Sequence, residues 1–137
     1  MDELTLDSEE NKCRKPDCGV TERGIKQALS LQRCAETGFN GIIREDALHR
    51  WRIYCSPMKR CLITCRTMME GFDKTRGSPP VTVKRSLYES GGCYHRDTQR
   101  GVVVGVPGAT STDIESEFGF VCDEWCDRLF RYKLRFF

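Results

Sequence analysis

Cysteines are the residues of this chain with the greatest chemical potential, and there are nine of them in 137 residues. A thiol can form a disulfide, bind a soft metal ion or act as a nucleophile. Three of the nine lie within the stretch CSPMKRCLITC, residues 55–65. The complete set of disulfide candidates is Cys13, Cys18, Cys34, Cys55, Cys61, Cys65, Cys93, Cys122 and Cys126.

The spacing of these cysteines favours disulfides over a zinc site. Structural zinc typically uses Cys-x2-Cys pairs, whereas this chain has Cys-x4-Cys, Cys-x5-Cys and two Cys-x3-Cys pairs. In a helix, Cys61 and Cys65 share one face, as do Cys122 and Cys126. Two such helices lying side by side could exchange two bridges. We therefore predict structural disulfides and no cofactor; structural zinc and reduced core cysteines are the alternatives.

An odd number of cysteines leaves one thiol over if all the others pair. In a secreted protein that thiol can form a bridge between two copies of the chain, which predicts a disulfide-linked homodimer. A buried and inert thiol is the simpler alternative.

Motifs typical of kinases and nucleotide-binding proteins are incomplete. His95-Arg96-Asp97 matches the tripeptide of a kinase catalytic loop, but Val102 stands where that loop needs asparagine. The run GVVVGVPGAT, residues 101–110, has no Gly-Lys-Ser/Thr after its glycines. A strand that ends in a turn is the better interpretation of that run.

The two histidines, His49 and His95, are candidates for acid–base chemistry, because the pKa of an imidazole lies near 7. Together they could cleave a phosphodiester, which makes a small secreted hydrolase one alternative function. However, His49 lies opposite Ala47 and Trp51 on a predicted helix, where a solvated histidine is the simpler interpretation. We expect no enzymatic activity.

Charge and hydropathy exclude several classes of partner. The net charge is +2, charged residues make up 31 %, and mean hydropathy is −0.51. We expect neither a nucleic-acid partner nor a membrane span, since no apolar run approaches about 20 residues. The acidic start MDELTLDSEE has no apolar core, so we do not expect it to be a signal peptide. The chain is therefore either cytosolic or the mature form of a secreted protein.

Periodicity predicts helices over about 21–70. Thr21 is a predicted N-cap, followed by a stripe of Ile25, Ala28, Leu29 and Leu31. A second helix is predicted over 42–55 and a third over 57–70, with Ser56-Pro57 at its start. The residues expected to pack these helices together are Trp51, Met58, Leu62 and Met69.

The second half of the chain predicts a small antiparallel sheet. Strands are expected at Val81–Val83, at Leu87-Tyr88 and at Val102–Val104, whereas 109–116 is expected to be a polar loop. Cys122 to Leu129 has helical spacing. Over 129–136, aromatic and aliphatic residues alternate with basic ones, which predicts a strand whose basic face contacts a partner. The residues of that face are Arg131, Lys133 and Arg135.

These patterns predict an α+β fold: a flexible acidic arm at 1–12, then one disulfide-stabilised domain at 13–137. The predicted function is a secreted, cysteine-rich binding protein, such as a ligand, a toxin-like effector or an extracellular interaction domain. It would act through protein–protein contacts with an extracellular protein or receptor, an acidic one being suited to the basic face. An intracellular zinc- or thiol-containing adaptor is the alternative besides the hydrolase.

Overall fold

The first helix, α1, spans Glu22–Glu36 and begins where the sequence predicts. The computed structural model describes residues 15–42, 50–73, 77–88, 93–97, 99–105 and 108–123. Thr21 Oγ1 accepts a hydrogen bond of 3.1 Å from the Gly24 N–H, and Glu22 lies in the first turn, where a negative charge favours the helix dipole. After α1, all four residues of the turn at Gly38–Gly41 have positive φ, including the two that are not glycine, Phe39 and Asn40.

A second helix, α2, spans Lys59–Asp73 and packs along α1. The prediction of a helix over 57–70 is confirmed apart from its ends. The contact between the helices involves small residues: Ala28 and Ala35 are buried on α1, whereas Ile25, Leu29 and Leu31 are exposed. The prediction that the larger apolar side chains of α1 pack inward is therefore wrong, because the close contact with α2 is made by the small side chains.

The two helices approach each other closely at Gly71. A Cβ atom on this residue would lie 2.3 Å from the backbone oxygen of Gln32 on α1. The Gln32 side-chain amide also donates a hydrogen bond of 3.3 Å to Glu70 on α2. The absence of a side chain at Gly71 is thus what lets the two backbones come together.

The main sheet is parallel, so the prediction of an antiparallel sheet is wrong. Its strands are β1 (Ile53–Cys55), β2 (Val81–Lys84) and β5 (Val121–Asp123), in the order β1-β2-β5. Ile53 pairs with Val81, and Thr82 pairs with Val121. The chain passes through α2 between β1 and β2. Such a crossover is what joins parallel neighbours.

The prediction of a helix over 42–55 is wrong at its end, where the first strand of this βαβ arrangement lies. Residues 43–49 lie outside the described residues, but Ile53–Cys55 is a strand. Trp51, which was expected in the core, is 40 % exposed. Three residues of strand are too short to show an alternation that could compete with the helical spacing.

A separate two-stranded antiparallel sheet joins β3 (Tyr94–Asp97) to β4 (Val102–Gly105). The prediction of a strand at Val102–Val104 is confirmed. Asp97 Oδ1 accepts hydrogen bonds from the N–H groups of Gln99 and Arg100 and so closes the turn. Leu87, by contrast, lies at the end of a 3-10 turn over Arg85–Leu87, not in a strand.

A third helix, α3, spans Ser111–Phe118, where a polar loop was predicted. The signal was present in the sequence: Thr110 and Asp113 form a capping box, with the Asp113 N–H donating to Thr110 Oγ1 at 3.1 Å. Asp113 Oδ2 accepts in return from the Thr110 N–H at 3.0 Å. Ile114 is the one buried residue of this helix, and Gly119 ends it in the left-handed conformation.

Replacing Thr110 with alanine should lower the free energy of unfolding by about 1 kcal/mol, since an N-cap side chain is lost. Hydrogen bonds to Thr110 hold the pKa of Asp113 below its usual value, so the carboxylate stabilises the fold at neutral pH. This contribution disappears as the pH falls through the lowered pKa of Asp113. Urea unfolding should therefore show a difference between wild type and Thr110→Ala that shrinks in acid. A difference that grows in acid would contradict the assignment of this cap.

The core lies between the helices and the parallel sheet. Met58, Leu62 and Met69 are buried, as predicted, and the core also contains Phe72, Val83 and Ile114. Phe39 packs against Phe72 with 6.1 Å between the ring centroids. α2 supplies more residues of the buried cluster than any other element, namely Leu62, Cys65, Met69 and Phe72, so it is the central element of the fold.

The prediction of a disulfide-stabilised fold is wrong for the described residues. None of their seven cysteines, Cys18, Cys34, Cys55, Cys61, Cys65, Cys93 and Cys122, forms a disulfide. The predicted exchange of two bridges required Cys122 on a helix, whereas Cys122 lies in β5. The prediction of a toxin-like protein depended on these disulfides and is not supported. Secretion itself is not tested and stays a prediction.

The remaining predictions concern residues outside the described part of the chain. They are the flexible acidic arm at 1–12, the disulfide candidates Cys13 and Cys126, and the strand at 129–136 with Arg131, Lys133 and Arg135.

Candidate functional site

A groove of about 660 Å³ lies between the segment that precedes α1, the end of β1 and the first half of α2. Four of the nine cysteines line it, and so do a tyrosine and a methionine. We call it the thiol groove. Its full lining is Cys18, Gly19, Val20, Thr21, Ile53, Tyr54, Cys55, Arg60, Cys61, Thr64, Cys65 and Met68.

A cap from a distant part of the chain positions the first wall of the groove. The Lys59 N–H, at the start of α2, donates a hydrogen bond of 2.8 Å to Asp17 Oδ1. The first N–H groups of a helix have no partner within it, so the carboxylate of Asp17 satisfies one of them. This bond ties residues 17–20 to the start of α2 and places Cys18 at the rim. Ser56, the predicted cap, accepts from the Met58 N–H at 3.4 Å.

The second wall is formed by Tyr54 on β1. The Lys84 ammonium lies over the Tyr54 ring, 4.9 Å from its centroid, in a cation–π contact. Lys84 is held in turn by Asp123, 2.9 Å away on β5. The neighbouring strands therefore orient an exposed aromatic side chain at the edge of the groove.

The floor contains a pair of thiols in contact. Cys55, at the end of β1, is 6 % exposed, and Cys65, on α2, is 8 % exposed. A hydrogen bond between the two thiols lowers the pKa of Cys65, although burial acts in the opposite direction. The same hydrogen bond raises the pKa of Cys55, and burial raises it further. Cys55 is therefore the partner that keeps its proton and donates, whereas Cys65 accepts.

The backbone offers Cys55 a second acceptor, since its sulfur lies 3.3 Å from the Ser56 carbonyl oxygen. Cys61 lies one turn before Cys65 on α2 and is close enough to Cys55 to raise its pKa. The spacing of Cys61 and Cys65 was visible in the sequence. The position of Cys55 and Cys18 beside these two cysteines was not visible in the sequence, because it depends on how β1 and residues 17–20 pack against α2.

The other described cysteines lie elsewhere. Cys34 is exposed on α1, and Cys122 is half-buried on β5. Cys93 is buried beside Tyr88; burial raises the pKa of the Cys93 thiol, while the hydrogen bond with Tyr88 acts to lower it. The four thiols of the groove are thus a distinct group within the described chain.

The structure does not test whether His49 and His95 lie close together. His95 lies on β3, in the smaller sheet, and His49 lies outside the described residues. The hydrolase that would use these two histidines was an alternative to the predicted binding protein, and it is not tested. Among the residues that the structure describes, no histidine and no carboxylate lines the thiol groove.

Searches among known proteins found no family model, no curated protein and no solved structure that matches the chain. Among the described residues, no helix is long and apolar enough to cross a membrane. Within the same part of the chain, no group of three or more histidine, cysteine, aspartate or glutamate side chains is placed to hold a metal ion.

Proposed function

We propose that this protein is a non-catalytic binding protein whose thiol groove receives an apolar side chain of a protein partner. The observation that carries the proposal is the groove itself, an open depression whose lining joins Tyr54, Met68 and Ile53 to weakly polar thiols. Tyrosine and methionine are enriched in binding surfaces, because both offer large, adaptable contact areas.

The geometry also favours binding over catalysis. Acyl or phosphoryl transfer by a cysteine requires a base within hydrogen-bonding distance of the thiol. The hydrogen-bond partner of Cys65 in the groove is the thiol of Cys55. Because the pKa of Cys55 is raised, that thiol keeps its proton and does not act as a base. An apolar partner side chain would gain about 25 cal/mol for each Å² that it removes from water, which is enough to anchor an interface.

Replacing Tyr54 with alanine should weaken partner binding by about 30-fold, the effect of losing a contact of about 2 kcal/mol at the centre of an interface. A displayed library of random peptides is the probe, and the selected peptides should share an apolar anchor residue. Affinities would be measured by calorimetry for wild type and for Tyr54→Ala. The matched control is Val121→Ala, an exposed residue on the opposite edge of the sheet.

Equal loss of affinity in both variants, or no enriched peptide at all, would remove the proposal. Chemical-shift changes confined to residues away from the groove would do the same, because the peptide would then occupy another surface.

A further inference from the structure

The thiol groove holds an arrangement that its use as a docking surface does not require. Cys55 and Cys65 come from different elements, β1 and α2, and both line the groove. Their thiols are joined by a hydrogen bond. Both are nearly buried yet line an open space, and Cys61 lies beside them. The described residues of the lining include no carboxylate, so they offer hard cations such as Mg²⁺ and Ca²⁺ no suitable oxygen donor set.

We propose that Cys55 and Cys65 form a two-coordinate binding site for Cu(I). Soft thiolate ligands favour Cu(I), Zn²⁺ and iron–sulfur clusters over hard cations, so the number of available ligands decides among these three. A monovalent d¹⁰ ion is satisfied by two sulfur ligands in a linear arrangement. Zinc, by contrast, requires four ligands in structural sites, and no group of three or more candidate side chains is assembled in the described part of the chain.

Binding at this site is an acid–base exchange without electron transfer. Two S–H bonds break, two S–Cu bonds form, and the protons of the two thiols pass to solvent. The copper enters and remains as Cu(I). The resulting bis-thiolate complex carries one negative charge, and the Arg60 side chain in the groove lining provides a positive charge near it. The low exposure of Cys55 and Cys65 limits the contact of water and oxidants with the two sulfur ligands.

This inference goes beyond the proposed function and does not depend on a protein partner. Its test uses the reduced, metal-free full chain under anaerobic conditions, titrated against the coloured Cu(I)–bicinchoninate complex. Wild type should withdraw one equivalent of Cu(I) with high affinity. Cys55→Ser and Cys65→Ser should each weaken that binding by more than the roughly 10–100-fold that loss of an outer-sphere partner costs.

Cys34→Ser is the matched control, because Cys34 is exposed on α1 and lies outside the groove. It should bind Cu(I) as wild type does. Cys55→Ala and Cys65→Ala replace the serine variants if a buried hydroxyl prevents folding, and circular dichroism shows which variants are folded.

Two results would overturn the inference. One is undiminished Cu(I) affinity in folded variants of both Cys55 and Cys65. The other is binding of one equivalent of Zn²⁺ that is lost in the same variants, since that would require a larger ligand set. Peptide binding is measured on metal-free protein, so failure of the copper site leaves the test of the proposed function unchanged.

Discussion

Replacing Phe72 with alanine should destabilise this protein by about 3–5 kcal/mol, the range observed when a buried phenylalanine is truncated. Phe72 is 1 % exposed and lies near the end of α2, where it contacts the Phe39 ring of the turn after α1. The substitution removes the apolar surface of the ring from the core and leaves a cavity between both helices and the sheet. Urea unfolding followed by circular dichroism measures the loss.

The control for this prediction is Leu31→Ala on α1. Leu31 is 39 % exposed, so its truncation should change stability by no more than about 0.5 kcal/mol. Similar losses for both variants would show that Phe72 does not lie in the core. A loss of several kcal/mol also approaches the total stability of a small domain, so Phe72→Ala should be partly unfolded near 37 °C.

Replacing Gly71 with alanine should lower the free energy of unfolding by about 1–3 kcal/mol or more, as overpacking in a close contact does. The added Cβ would meet the Gln32 backbone oxygen at 2.3 Å and the Ala35 Cβ at 3.2 Å. A backbone atom cannot rotate away, so α1 and α2 must separate. Alanine favours a helix over glycine by about 1 kcal/mol, but this gain is smaller than the cost of separating the helices.

Gly19→Ala provides the comparison, because an added Cβ at Gly19 meets no atom within 4 Å. Its thermal midpoint should stay close to that of wild type, whereas the midpoint of Gly71→Ala should fall by several degrees. If Gly71→Ala is more stable than wild type, helix propensity outweighs packing at this position, and the close approach of α1 and α2 is wrong.

Local signals in the sequence predicted several elements correctly. The Thr21 cap, the helix around Leu62 and the strands at Val81–Val83 and Val102–Val104 depend on residues a few positions apart. The burial of Met58, Leu62 and Met69 followed from their spacing. The capping box at Thr110 is the same kind of signal, but the polar residues around it are also typical of a loop.

The sequence by itself therefore determined the helix α2, two of the strands and which face of α2 is buried. Only the tertiary structure decided that β1, β2 and β5 are parallel neighbours, because strands of three or four residues carry too little pattern to specify their partners. The state of the cysteines was decided in the same way. Cys55 meets Cys65 because β1 packs on α2, and Cys18 reaches the groove because Asp17 caps that helix. Spacing along the chain specifies the distance between two thiols within one helix, but contacts between elements depend on how the whole core packs.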